Sequence, residues 1–157
     1  MPLRVGDTLP SFEGATDWLN GSGEKAEEFV KEHPALVYFW SASCEICKEN
    51  MPKLGKLKEK YPDLKMAAIH MPRYEADTNL ERVKEIIEQY RITDICAVDN
   101  KHKLKNAFLN DQGWVPFYYL FNADGKLKSR SAGEHGISVI TKALEKFFVD
   151  ITSKIVV

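Results

Sequence analysis

Two cysteines three residues apart are the residues of this sequence best suited to chemistry. Cys44 and Cys47 form a Cys-x-x-Cys motif, and Cys96 is the third cysteine. Thiols at positions i and i+3 of a first helical turn share one face, so they can form and break a disulfide without backbone movement. In an α/β protein with few cysteines, this motif indicates redox chemistry rather than a structural staple.

The start of a helix predicts different roles for the two thiols. Free backbone N–H groups and the helix dipole stabilise a thiolate at the first position. We therefore predict that Cys44 is the more exposed thiol and attacks the substrate, and that Cys47 resolves the mixed disulfide. Lys48 favours a thiolate at Cys44 and Glu45 disfavours it, which predicts a reductant of moderate strength.

Alternating strands and helices must position this motif. Residues 35–40 form a continuous apolar run, typical of a strand buried on both faces. Ser43 is suited to cap a helix that begins near Cys44 and extends to Tyr61. The other predicted elements, in chain order, are a helix at 24–31, a strand at 64–71, a helix at 80–90, a strand at 95–98, a helix at 101–110, a hairpin turning at 124–125 and a helix at 137–151.

This order of elements predicts one layered α/β domain over residues 1–157, with parallel central strands and one antiparallel edge. Of the residues, 44% are hydrophobic and 29% are charged, and the net charge is −1. We expect no nucleic-acid partner, because a basic footprint is missing. We also expect no membrane span, because no apolar run approaches the ~18 residues that one needs, and we expect a monomer.

The location of the protein follows only conditionally from the first fifteen residues, which lack a signal-peptide pattern. If Met1 is the native start, we expect a cytoplasmic protein. An extracytoplasmic mature form with its leader trimmed would have the same sequence.

Several segments resemble the thioredoxin superfamily. Residues 40–48, Trp-Ser-Ala-Ser-Cys-Glu-Ile-Cys-Lys, resemble its active-site segment, and Val115-Pro116 before the hairpin resembles its cis-proline loop. Residues 6–12 and 80–98 are similar to the N-terminal extension and central αβ insert of the TlpA/ResA-like branch. The resemblance extends over nearly the whole chain.

The resemblance implies a thioredoxin-like fold, a mixed central sheet flanked by helices on both faces. It implies a thiol–disulfide oxidoreductase that acts on protein disulfides, needs a reducing partner and uses no cofactor. Pro116 is expected to be cis and to lie against the cysteines, with Val115 offering backbone hydrogen bonds to a substrate strand. Trp40 and Trp114 are expected to flank the dithiol and give substrates an apolar surface, and Ile46 lies within the motif.

The sequence also departs from the family pattern. Tyr38 stands where thioredoxin has a buried aspartate, so the acceptor for the proton of Cys47 is open. In ResA-like members a glutamate near the cysteines can take this role, and Glu75, beyond the second predicted strand, is the matching candidate. An ordinary loop carboxylate is the alternative. We expect Cys96 to be a buried, inert thiol and His70 to make a satisfied hydrogen bond at a strand end.

Two other functions compete with disulfide reduction. A thiol peroxidase of the peroxiredoxin type would need Pro-x-x-x-Thr/Ser-x-x-Cys; Ser41 fits this pattern, but Val37 occupies the proline position. A chaperone for copper or zinc could bind the metal with Cys44, Cys47 and a histidine. A zinc site would need two further ligands, and no candidate has the paired spacing, so we expect no metal.

Overall fold

The computed structural model describes the backbone of residues 2–155 and the side chains of residues 2–150. Helices and strands alternate along most of the chain. In chain order they are β1 (Asp17–Leu19), α1 (Gly23–Phe29), β2 (Ala35–Trp40), α2 (Glu45–Lys60), β3 (Lys65–His70), a 3₁₀ helix (Glu75–Thr78), α3 (Leu80–Gln89), β4 (Ile95–Val98), α4 (Lys103–Ala107), β5 (Phe117–Phe121), β6 (Leu127–Ala132) and α5 (Gly136–Ile155).

The strands form one mixed sheet in the order β1-β4-β3-β2-β5-β6. The central strands β2, β3 and β4 are parallel, whereas β5 and β6 continue the sheet antiparallel at one edge. At the other edge β1 pairs antiparallel with β4. The prediction of a single antiparallel edge is therefore wrong, because a strand of three residues is too short to show a strand periodicity.

Strand β2 supplies side chains to both sides of the sheet. Leu36, Tyr38 and Trp40 belong to one core, together with apolar residues of α2, α3 and α5. Val37 and Phe39 belong to the opposite core, together with residues of α1, α4 and the N-terminal segment. All of β2 is buried, as its apolar run predicts. The expected mixed sheet with helices on both faces is confirmed.

The parallel pairing of β2 and β3 sets the position of the cysteine motif. Trp40 and His70, the last residues of these strands, are register partners. The chain segments that follow them therefore leave the same edge of the sheet side by side, which is where sites form in parallel sheets. Within the described residues, no helix is long and apolar enough to cross a membrane.

A buried polar group lies within the first core. The Tyr38 hydroxyl donates a hydrogen bond of 2.8 Å to Asp94, and Lys58 Nζ lies 2.7 Å from the other carboxylate oxygen. Burial, and then the nearby Asp94 charge, holds the pKa of Tyr38 well above its ordinary value, so the hydroxyl stays protonated. Tyr38 thus does not carry the negative charge of the aspartate that it replaces.

We predict that Asp94→Ala lowers the free energy of unfolding by about 2 kcal/mol, because the buried Tyr38 hydroxyl loses its acceptor. In a Tyr38→Phe background the same change should cost about 1 kcal/mol less, since no unpaired hydroxyl remains. Urea unfolding of the four proteins measures this cycle, and exposed Asp63→Ala is the control. An equal cost in both backgrounds would show that the hydroxyl does not depend on Asp94.

Candidate active site

Cys44 and Cys47 are joined as a disulfide, with their Cα atoms 5.3 Å apart. Both are buried, and Cys44 is the more exposed of the two, at 4% against 1%. The order of exposure agrees with the prediction that Cys44 meets the substrate first. Only a small part of Cys44 is open to solvent.

Cys44 is itself the N-cap of α2. Its Sγ accepts a hydrogen bond of 3.2 Å from the Cys47 backbone N–H. The prediction that Ser43 caps this helix is wrong. The Ser43 hydroxyl donates instead to Asp77 Oδ2 at 2.7 Å, so it points to a different part of the chain. The sulfur of Cys44 therefore sits where the helix presents a free N–H group, which stabilises a thiolate.

The charged residues of the motif pair with each other. Lys48 Nζ lies 2.9 Å from Glu45 Oε1, and the Glu45 side chain is largely exposed. Their opposing effects on a Cys44 thiolate therefore largely cancel. Ile46, between the cysteines, presents a partly exposed apolar side chain.

The three residues that precede Cys44 (residues 41–43) form a segment that we call the active-site loop. Hydrogen bonds connect this loop to the end of β3. The Ser41 hydroxyl donates to the Met71 carbonyl, and the Ala42 N–H donates to His70 Nε2 at 3.0 Å. The Met71 N–H donates to the Trp40 carbonyl at 2.8 Å. These bonds fix the direction in which the chain enters α2.

His70 is the buried partner in this set of bonds. Its ring lies edge-on to Trp40, with the ring centroids 4.7 Å apart. Burial lowers the pKa of His70 to about 4, although the nearby Asp77 carboxylate opposes the shift. The imidazole is neutral near pH 7, which leaves Nε2 free to accept the Ala42 N–H. The expected hydrogen bond of His70 is confirmed at this nitrogen.

The carboxylate beside the active-site loop belongs to Asp77. Glu75, the acid–base candidate, has an exposed side chain, and its backbone carbonyl accepts from Thr78 Oγ1. Asp77 is buried at 0% exposure. Burial would raise the pKa of Asp77, but hydrogen bonds from Ser43 and two backbone N–H groups outweigh this and lower it. The structure thus brings Asp77 to Ser43, and a role for Glu75 stays a prediction.

The two tryptophans have different environments. Trp40 is fully buried, so the prediction that it offers substrates a surface is wrong. The Trp40 side chain lies in the first core, which also contains both cysteines, because it projects from the same face of β2 as Leu36 and Tyr38. Trp114 is 55% exposed and stacks on Phe117, with centroids 6.3 Å apart.

The loop before β5 has the expected conformation. The Val115–Pro116 peptide bond is cis, and Val115 packs against the core that contains Cys44 and Cys47. Buried Asn110 holds the loop, since it donates to the Trp114 carbonyl and accepts the Trp114 N–H, both at 3.0 Å. Asn110 was not predicted from the sequence, because a single asparagine after a short helix gives no signal.

Cys96 lies in β4 and is completely buried. Burial raises the pKa of its thiol to about 12, so the thiol stays protonated near pH 7. The predicted burial of Cys96 is confirmed. Among the side chains that the structure describes, no group of three or more His, Cys, Asp or Glu residues could hold a metal ion.

Comparisons with known proteins agree with this geometry. Residues 4–144 match the family model named Redoxin. The thiol-disulfide oxidoreductase YkuV of Bacillus subtilis is 36% identical over 149 residues, which are 94% of this chain and 99% of that protein. The thiol-disulfide oxidoreductase ResA of Bacillus anthracis is 27% identical over 133 residues, 84% of this chain and 72% of ResA.

A solved structure shows the same fold. The solution structure of a thioredoxin-like protein in the oxidized form matches with a TM-score of 0.83 and 35% identity. The match includes 94% of this chain and 99% of the other. The fold that the resemblance implied is confirmed.

We predict that stability falls as the pH is lowered from about 6.5 towards 4, because the unfolded His70 binds a proton that the folded His70 does not. The total loss from this residue is about 3 kcal/mol. His70→Gln keeps an acceptor for Ala42 and should remove this part of the slope. Urea unfolding across the pH range measures it, with exposed His33→Gln as the matched control. An unchanged slope in His70→Gln would contradict the assignment.

Proposed function

Because the chain belongs to the Redoxin family and is a thioredoxin-like thiol–disulfide oxidoreductase, we propose that it reduces disulfides in other proteins through Cys44 and Cys47. One observation carries this proposal: the two cysteines form a disulfide at the start of α2, and the more exposed sulfur is at the helix N-cap. This arrangement supports Cys44 as the attacking thiol and Cys47 as the resolving thiol.

The cycle transfers two electrons to the substrate. The Cys44 thiolate attacks one sulfur of a substrate disulfide, and the other substrate sulfur leaves as a thiolate that takes a proton from water. Cys47 then loses its proton and attacks Cys44 Sγ, which releases the second substrate thiolate and forms the Cys44–Cys47 disulfide. The second step is fast because both sulfurs belong to one helical turn. A dithiol partner returns two electrons and two protons.

The surface near Trp114 supports a protein substrate. Trp114 and Phe117 line an open groove together with Arg130. The exposed indole of Trp114 gives apolar contact area, which protein partners favour. Val115, next in the chain, is available to pair with an extended substrate strand, as the resemblance implies.

The cellular setting is also part of the proposal. A reductant fits the cytosol, where thiols are kept reduced, and a monomer presents the Trp114 groove freely. The reducing partner has to supply two electrons, which a protein dithiol provides in one exchange. No contact in the described structure favours a peroxidase or a metal chaperone over disulfide exchange.

We expect Cys44→Ser to abolish the reduction of insulin disulfides, since no other described thiol is accessible. Cys47→Ser should accumulate a mixed disulfide with substrate, because Cys44 can attack but nothing resolves the product. Non-reducing gel electrophoresis and mass spectrometry measure both. Cys96→Ser is the matched control, and its activity should stay within about twofold of the wild type, because Cys96 is buried and protonated.

Two results would contradict this cycle. One is substantial activity in Cys44→Ser. The other is a Cys47→Ser protein that forms no mixed disulfide with a substrate that the wild type reduces.

A further inference from the structure

The Arg73 side chain forms two hydrogen bonds with Ser43, the residue directly before Cys44. Its Nη2 donates a hydrogen bond of 2.8 Å to the Ser43 carbonyl oxygen, and its Nε donates one of 3.2 Å to the Ser43 hydroxyl. Thirty residues separate Arg73 and Ser43 in the sequence. The Ser43 carbonyl belongs to the peptide group whose N–H is that of Cys44, so the guanidinium stands one peptide from the nucleophile.

Asp77 stabilises the contact between Arg73 and Ser43. Its Oδ2 accepts hydrogen bonds from the Ser43 hydroxyl at 2.7 Å, from the Arg73 backbone N–H at 3.0 Å and from the Tyr74 N–H at 3.3 Å. The carboxylate thus anchors the turn that carries Arg73 and the serine that Arg73 binds. The guanidinium also lies over the Tyr74 ring, 5.5 Å from its centroid, and these contacts restrict the side chain to one side of the loop.

We propose that Arg73 is a positioning residue for Cys44, which it serves by holding the Ser43 peptide and by placing a positive charge beside the forming thiolate. The proposal rests on the function proposed above, and it adds a residue that neither the Cys-x-x-Cys motif nor the cis-proline loop contains. Arg73 acts through Ser43 rather than on the substrate.

The charges around Cys44 leave a role for Arg73. On α2, Glu45 and Lys48 form an ion pair with each other. From the end of β3, His70 is neutral, and from the following turn Asp77 contributes a buried negative charge that disfavours a thiolate. Both acceptors of the Arg73 guanidinium are uncharged oxygen atoms of Ser43. Its positive charge therefore acts on Cys44 and offsets that of Asp77.

The shape of the guanidinium matters as well as its charge. Arginine presents several N–H donors in one rigid plane, so it can bind the carbonyl and the hydroxyl of Ser43 together. A lysine ammonium is a single point and does not reproduce this two-point contact. The structure therefore predicts that charge alone restores only part of the effect.

The test measures the reactivity of Cys44 directly. The reduced full-length protein is treated with iodoacetamide from about pH 5 to about pH 9, and mass spectrometry follows the Cys44 peptide. In Arg73→Gln the alkylation rate near pH 6 should fall about threefold to tenfold, and the midpoint of the pH profile should move upwards. The reduction potential should become more negative, because the reduced form loses a stabilising charge.

Two further variants separate position from charge. Arg91→Gln is the matched control, since Arg91 is an exposed arginine after α3, and its replacement removes the same charge but leaves Ser43 and Asp77 with their partners. Its Cys44 profile should equal that of the wild type. Arg73→Lys should recover less than half of the lost rate.

Three outcomes would overturn the proposal: a wild-type profile in Arg73→Gln, an equal shift in Arg91→Gln, or full recovery in Arg73→Lys. Alkylation needs no protein substrate, so it reports on Arg73 even if insulin reduction by the wild type fails. Failure of the proposed function and failure of this inference are thus distinguishable. Because the Arg73 side chain is exposed, its replacement should leave the fold intact, and circular dichroism checks this.

Discussion

The hydrogen bonds between the active-site loop and the end of β3 determine where the Cys44 thiol stands. The backbone of Trp40, the side chain of Ser41 and the N–H of Ala42 each find a partner at His70 or Met71. Buried polar groups must be paired, so the loop has few other conformations available. Because the loop is fixed, Cys44 becomes the N-cap of α2, and the second thiol follows one turn later on the same face. The chemistry depends on this anchoring, because it sets the positions of both sulfur atoms.

The hydrophobic core makes the anchoring possible. Since β2 is buried on both faces, its end cannot move without exposing Trp40 and its neighbours. The same core also explains why two cysteines of one chain behave so differently. Cys96 lies in a central strand, where burial outweighs the hydrogen bonds from Trp40 and His70 and keeps the pKa of its thiol raised. Cys44 is nearly as buried, but it occupies a helix N-cap, with the Arg73 guanidinium one peptide away.

Local sequence patterns predicted the parts of the site that are local in the chain. The apolar run of β2, the helix after Cys44 and the spacing of the two thiols are visible in single segments. The cis conformation at Pro116 followed from the family resemblance. The bonds to Ala42 and Ser43 join residues 28 and 34 positions apart, and no periodicity or motif encodes such pairs. The family resemblance pointed to Glu75, whose role stays a prediction, and the inward position of Asp77 two residues later had no signal in the sequence.

Burial was also hard to predict for single aromatic residues. Trp40 and Trp114 both lie beside segments that resemble the family motifs. Trp40 is the last residue of the buried strand β2, whereas Trp114 lies in a loop. Trp40 belongs to a buried core, and Trp114 is the exposed residue of the two. The short β1 strand was missed for a similar reason, since its pairing with β4 comes from the sheet and not from its own three residues.

The reduction potential of the Cys44–Cys47 pair tests the central claim most directly. The oxidised protein can be equilibrated with a dithiol of known potential, with tryptophan fluorescence as the readout. A value near or below about −270 mV, the level of thioredoxin, is the result expected of a dithiol reductant. A value near about −180 mV or higher would contradict the account, because it belongs to an isomerase or an oxidant of disulfides.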